Sequence, residues 1–325
     1  MKILTIESDP FVLEVMPLLA AKSGFPDVTL VSSSLQALDR LSYGSDTFDC
    51  LLLNINMPVM NGVELCSRVR RLQDYRKTPI IMLIPMSERD FMDDAFRAGA
   101  TDYLTKPFDI TELGARLRVA RELMTAWREA GLIREPEGAG TGQKPAFPLS
   151  DLVEFAGSAE LVEFTALQSY LNQISRAGLA ASQIVAVKVD RITDIYDRAS
   201  SQEFIYALVE VADAIVEMLR TSGVLVCYVG AGGFVVVSHT ATALVPEEVE
   251  SAVQQIIDDK NAEYDSGAPL DIEVSVGNPI HLGLGEASDV RRVVDRAIAR
   301  AECRRQAKHN QPPPINICPR RARQV

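Results

Sequence analysis

The sequence is short of the residues from which metal centres and nucleophilic active sites are usually built. Its 325 residues include three histidines, His239, His281 and His309, with no partner at metal-ligand spacing, so a metal site has nothing to start from. No Ser-His-Asp or Cys-His grouping can be drawn from them either. The five cysteines, Cys50, Cys66, Cys227, Cys303 and Cys318, make no CxxC pair. An odd, dispersed set suits reduced, buried thiols in a cytosol and not a disulfide framework. No apolar run reaches the ~18 residues of a membrane span. Positive charge is also scarce, 33 Lys and Arg against 44 Asp and Glu for a net −11. That is the wrong sign for coating DNA or an anionic membrane, which leaves proteins or cations as partners. The opening MKILTIESDP lacks a long apolar stretch and reads as a first strand, not a signal peptide, so a cytoplasmic location is expected.

What is present is ordinary globular material, 47% hydrophobic and 24% charged, in a length that suggests two domains at ~150 residues each. Up to about Trp127 short apolar runs alternate with amphipathic stretches, the pattern of βα units around a parallel sheet buried on both faces. The strands are KILTI, VTLV, CLLLNI, PIIMLI and TDYL, with helices at 10–22, 34–43, 62–73, 88–98 and 109–130. This arrangement predicts a flavodoxin-like, doubly wound α/β domain over residues 1–130, with its chemistry at the carboxyl ends of the strands. In the last helix Leu113, Leu117, Ala120, Met124 and Trp127 form a seam that either docks on the sheet or pairs with a second copy.

Residues 131–148, GLIREPEGAGTGQKPAFP, read as a linker. From 149 to 310 the pattern becomes α+β: helices at 159–177, 202–220, 246–261 and 288–308, and strands IVAVKV, VLVCYV, FVVVSH and DIEVSV. The middle two strands form a hairpin around Gly230-Ala231-Gly232-Gly233. Residues 311–325 read as a poorly ordered tail whose Arg320, Arg321 and Arg323 are a solvated terminus. The negative charge resides in 131–310, with 15 basic and 26 acidic side chains.

The segments KILTIESDPFVLEVM, LLLNINMPVMNGVELCSRVR and PIIMLIPMSERDFMDDAFRAGATDYLTKPF resemble the receiver domain of two-component response regulators. The resemblance implies a phosphoacceptor Asp ending the third strand, acidic Mg²⁺ ligands after the first, a hydroxyl ending the fourth and a Lys after the fifth. Here those positions hold Asn54, Glu7 with Ser8 (Asp9 falls one residue late), Ile84 and Lys106. An amide is a very weak nucleophile, and one carboxylate is a poor Mg²⁺ site. The expectation is a fixed Glu7–Asn54–Lys106 polar network in place of a phosphorylation switch. Engineering of a working Asp would leave Ser8 and Ile84 unexplained.

Residues 159–310 resemble, through IVAVKVDRITDIYD, GAGGFVVV, EVSVGNPI and DRAIARAECRRQAKHN, the GGDEF family of diguanylate cyclases. That chemistry requires two Mg²⁺ ions held by acids. The matched metal position is Lys188, with Asp190 surviving; the signature is Gly230-Ala231-Gly232-Gly233-Phe234, so Gly232 and Gly233 replace its acids. Tyr196 stands at the base-contacting position, Glu302 and Gln306 at the phosphate-binding ones. The RxxD inhibitory site is also missing, since Thr221, Ser222 and Gly223 follow Arg220. The turn's glycines serve the hairpin and not a phosphate cradle.

These resemblances together imply a signalling protein with an inactive receiver and an inactive GGDEF-like, nucleotide-cyclase-like domain. The expectation is that it uses no metal or cofactor and acts through protein partners such as a histidine kinase, with a homodimer as one form it can take. The receiver's Arg89 to Tyr103 face, with Asp90, Asp93 and Asp94, is the expected docking surface. The alternatives are a nucleotide or cyclic di-GMP sensor and a residual diguanylate cyclase.

Overall fold

The computed structural model describes residues 1–129, 145, 147–152, 161–174, 176–219, 224–239, 244–282 and 289–309. Most of the expected linker, the RxxD position at 220–223 and the expected tail, with Cys318, lie outside the described residues.

In the first half, β1 (Ile3–Ile6), β2 (Val28–Val31), β3 (Cys50–Asn54), β4 (Ile80–Pro85) and β5 (Asp102–Lys106) form a parallel sheet in the order β2-β1-β3-β4-β5. The crossovers carry α1 (Pro10–Lys22), α2 (Ser34–Tyr43), α3 (Gly62–Arg70) and α4 (Met92–Arg97), and α5 (Ile110–Glu129) follows β5. Helices cover both faces, which is why the inner strands carry unbroken apolar runs. Ile3, Leu52, Leu83 and Leu104 pack with α1 and α5, while Leu4, Leu51, Leu53 and Met82 pack with α2, α3 and α4. Asp9, Ser33 and Asn61 cap the first three helices through Phe11, Gln36 and Glu64 N–H groups.

Two expected helices are shorter. The 62–73 helix ends at Arg70 and gives way to a 3₁₀ turn at Gln73–Tyr75. Half-buried Arg70 fixes this end by donating to the carbonyls of Gly99, Tyr75 and Thr78 at 2.8, 2.9 and 2.7 Å. The 88–98 helix contracts to Met92–Arg97, after a 3₁₀ stretch kinked at Glu88. The α5 seam is resolved in favour of the sheet: Leu113, Leu117, Ala120 and Met124 are all buried within this chain.

The second half contains α6 (Phe164–Gln173), α7 (Arg176–Ala181), β6 (Gln183–Val189), α8 (Ile192–Arg198), α9 (Ser201–Leu219), β7 (Leu225–Tyr228), β8 (Gly233–Ser238), α10 (Pro246–Lys260), β9 (Val274–Val276), β10 (Ile280–His281) and α11 (Val290–His309). Its sheet is antiparallel, ordered β10-β6-β8-β7 with β9 also on β6. The 159–177 helix is broken by extended Ile174 (ψ 144°), and α8 and β10 are too short to stand out as periodic segments. In the β7–β8 turn Gly230, Ala231 and Gly232 all have positive φ. The Gly232 conformation also brings the chain so close to Ile192 that a Cβ would lie 2.7 Å from its side chain.

The two halves share one apolar cluster, which runs from the α2–α4 side of the first sheet into the α6–α11 side of the second. Buried Tyr170 of α6 is the junction, stacking edge-on against Phe96 of α4 at 5.3 Å. Its hydroxyl donates to Asp93 Oδ1 at 2.8 Å and lies 2.6 Å from His239 Nε2. His239 Nδ1 is 2.7 Å from Ser182 Oγ, which donates to the Gly178 carbonyl at 2.6 Å. Nearby, Gln173 donates to Asp102, Tyr103 donates to the Gln173 carbonyl, and Lys77 pairs with Glu163 at 2.7 Å. The expected docking face around α4 and β5 is therefore covered by α6 of the same chain. Asp93 bonds to Tyr170, and Asp94 pairs with Arg97 at 3.3 Å. The side chain of Asp90 is outside the described set.

Burial holds His239 below its usual value, with Arg97 adding to the effect and Asp93 opposing it. The packed junction thus disfavours the imidazolium. Its stability is fully present above the unfolded histidine value near 6.5 and is lost as pH falls through the lowered one, with a slope of at most about 1.4 kcal/mol per pH unit. Thermal melts of the full chain between pH 7.5 and 5 are expected to show a fall in Tm that His239→Gln reduces; equal slopes in the two proteins would refute this role.

Candidate functional site

The carboxyl ends of β1, β3 and β5 bring three side chains together. Each ends a strand of a parallel sheet, so register alone sets them side by side: Ile6 pairs with Leu53, and Asn54 with Leu83 of the intervening β4. Glu7 has 0% exposure and Asn54 4%. Asn54 Nδ2 donates to Glu7 Oε1 at 2.6 Å, Lys106 Nζ donates to Glu7 Oε2 at 2.6 Å, and Lys106 Nζ also reaches Asn54 Oδ1 at 3.1 Å. The backbone N–H groups of Ser8 and Asp9 donate to Glu7 Oε1 at 2.9 and 3.0 Å.

The neighbouring positions stand apart from this network. The Ser8 hydroxyl points to the Asn56 carbonyl at 3.5 Å, and the Asp9 carboxylate caps α1. Ile84 is fully buried at the end of β4 and contributes no hydroxyl. Gly62 closes the MPVMNG turn because a Cβ there would lie 2.3 Å from the Asn54 carbonyl oxygen. Val59 in the same turn has φ 69° and is 87% exposed.

These residues do not fit Mg²⁺. A carboxylate has about four lone-pair sites, and those of Glu7 are taken by three N–H donors and an ammonium. Asp9 is committed to the helix terminus. Among the described residues no group of three or more His, Cys, Asp or Glu could hold a metal ion.

The second set of residues singled out by resemblance is only partly assembled. Lys188 lies opposite Gly233 in the β6–β8 register, and its Nζ donates to the Ala231 carbonyl at 2.6 Å. Burial pushes the Lys188 ammonium below its usual range, opposed by nearby Glu302. Asp190 is buried, accepts from Ser275 Oγ at 2.9 Å and lies 3.8 Å from Lys308 Nζ. Glu302 pairs with Arg305 one turn on, and Gln306 is exposed on the same helix. Tyr196 lies away from this group, stacked edge-on with Phe204 and donating to the Phe147 carbonyl. Gly230 permits the approach of the incoming chain, since a Cβ would be 2.6 Å from the Ser150 carbonyl oxygen.

Sequence reasoning missed Glu250, Tyr170 and His239. Glu250 is buried, accepts from Val276 N at 3.0 Å and from Arg304, and lies 3.9 Å from Lys308. The available signal for Tyr170 was a hydroxyl inside the otherwise apolar stripe Ala166, Leu167, Leu171. His239 was read as isolated, which the structure corrects: its partners come from segments far apart in sequence. Cys303 is exposed, unlike Cys50, Cys66 and Cys227, whose thiols burial pushes up.

A family model of the response regulator receiver domain matches residues 3–118. The chain is 34% identical over 141 residues to the transcriptional regulatory protein CseB of Streptomyces coelicolor, covering 43% of this chain and 56% of that one. It is 29% identical over 119 residues to the chemotaxis protein CheY1 of Helicobacter pylori, covering 37% and 95%. The receiver domain of an HD domain-containing protein from Pseudomonas fluorescens is 28% identical, with a TM-score of 0.36 and coverage of 39% and 91%. The first half is thus a doubly wound module of two-component signalling, and its sequence matches make it a response regulator receiver domain. The chain spans about half the length of the transcriptional regulators it matches. No helix among the described residues is long and apolar enough to cross a membrane.

Replacing Lys106 by Met leaves the Glu7 carboxylate buried without its counter-charge, a loss on the order of 3–5 kcal/mol. Chemical denaturation at pH 7 is expected to show that loss.

Proposed function

We propose that this chain is a two-component signalling protein that acts by protein–protein contact, with a receiver that is not phosphorylated and a GGDEF-like second domain that is not an enzyme. The observation that carries the reading is the Glu7–Asn54–Lys106 network. The phosphoacceptor position holds an amide whose Nδ2 is already donating to the carboxylate that would otherwise serve a metal. An aspartyl phosphate requires an anionic nucleophile in line with phosphorus and a cation on the phosphoryl oxygens. Asn54 supplies no such nucleophile, and the one buried acid is neutralised by Lys106.

The second domain supports the same reading. Two-metal phosphoryl chemistry needs free acids converging on one point. Here Lys188 occupies one expected metal position, Asp190 is engaged by Ser275 and Lys308, and Gly232 and Gly233 stand where the signature's acids are expected. Receiver domains work with histidine kinases and other signalling proteins, and such proteins are the proposed partners here. Because α6 covers the α4–β5 face, homodimerisation through that face would require the two domains to separate.

Incubation of the full chain with acetyl phosphate and Mg²⁺ is expected to leave its intact mass unchanged, and incubation with GTP and Mg²⁺ or Mn²⁺ to yield no cyclic dinucleotide. A phosphate adduct would overturn the receiver assignment, and product formation the assignment of the second domain.

A further inference from the structure

A cleft of about 340 Å³ separates α5 of the receiver from α6 of the second domain. It lies apart from both pockets described above, and the inference drawn from it does not rest on their inactivity. We propose that it binds a small, uncharged, planar heteroaromatic molecule with hydrogen-bond donors and acceptors along one edge, a nucleobase or nucleoside.

The volume is at the lower end of small-molecule pockets, which suits one ring system and little more. One wall is polar in a regular way. Thr165, Gln168, Ser169 and Asn172 follow the i, i+3, i+4, i+7 spacing of a single helix face, and all four line the cleft. On an isolated helix such a stripe faces water; here it faces a neighbouring domain. The side chains of Gln168, Ser169 and Asn172 make no hydrogen bond among the described residues. Thr165 Oγ1 and Arg116 Nε are buried without a partner. Buried donors and acceptors are ordinarily satisfied, so these two are polar atoms that the edge of a ligand would pair with.

The opposite wall fixes the ligand's shape and charge. Val119 and Leu123 of α5 offer apolar surface for a flat ring face, across from two carboxamides and two hydroxyls for its edge. Carboxamides donate and accept side by side, matching the mixed edge of a base. The guanidinium of Arg116 does not make this an anion site. Its terminal nitrogens are held by Asp102 at 3.2 Å and Glu112 at 3.4 Å, so the local charge is not positive and phosphates or carboxylates are disfavoured. A neutral ring can still accept from Arg116 Nε. Since the walls come from both domains, a ligand here binds the docked form and stabilises it by mass action.

The test is saturation-transfer NMR and calorimetry on the full chain with adenosine, guanosine, cytidine and uridine at millimolar concentration, and with the corresponding monophosphates. The expected result is saturation transfer to the ring protons of at least one nucleoside. Affinity should fall about tenfold in Asn172→Leu and in Thr165→Val, since each loses one hydrogen bond to the ring. Neither variant should melt lower than the parent, because neither side chain has a protein partner to lose. Absence of transfer from every nucleoside would overturn the proposal. So would binding that both variants leave unchanged, or binding that depends on the phosphate and not on the ring.

Discussion

One buried carboxylate organises the functional end of the receiver. Glu7 has no solvent exposure, and an ionised carboxyl in that position must find both charge and donors. Lys106 supplies the charge; two backbone N–H groups and the Asn54 amide supply the donors. Within that constraint the differences at positions 8, 54 and 84 form one set. A second acid at 8 or 54 would add a charge that Lys106 alone cannot offset, and a metal would then be needed to restore balance. With Asn54 the balance closes without one. Ile84 stands where the resemblance expects a hydroxyl, and its side chain packs in the core.

The same electrostatic logic recurs in the second domain with different residues. Lys188 is satisfied by the Ala231 carbonyl, Asp190 by Ser275 and Lys308, and Glu250 by Val276 N and Arg304. Acids and bases are matched locally, leaving no cluster of carboxylates at high mutual repulsion among the described residues, which is the state a metal-binding site must hold in readiness. The net −11 is therefore a property of dispersed charge. It favours solubility and steers cationic partners without implying a cation at either pocket.

Much of the receiver was legible because its signals are local. Apolar runs, capping residues and the MPVMNG turn fix the strand ends, and parallel register then brings Glu7, Asn54 and Lys106 together without any further information. The second domain was less legible where its elements are short. The seven residues of α8 and the two of β10 carry no usable periodicity. Contacts between the two halves were not legible at all. Asp93, Tyr170, Ser182 and His239 follow one another at intervals of 77, 12 and 57 positions, and each alone has a bland local reading. The Arg89 to Tyr103 face read as free because sequence does not show that α6 returns to cover it.

Proton counting distinguishes this junction from the two pockets. Four close contacts run from Asp93 through Tyr170, His239 and Ser182 to the Gly178 carbonyl. Tyr170 and Ser182 each bring one proton, and the two outer acceptors bring none, so all four contacts are hydrogen bonds only if His239 brings two. A neutral ring brings one, and with Tyr170 donating to Asp93 and Ser182 donating to the Gly178 carbonyl, one of the two contacts to the ring then lacks its proton. Desolvation disfavours the imidazolium and outweighs the pull of Asp93, so the neutral ring is the favoured state. The phosphoacceptor pocket, by contrast, has its charge and donors matched in one way only. The contact between the domains is thus held by the packing of Tyr170 and by a hydrogen-bond chain one proton short, at a distance from Asn54.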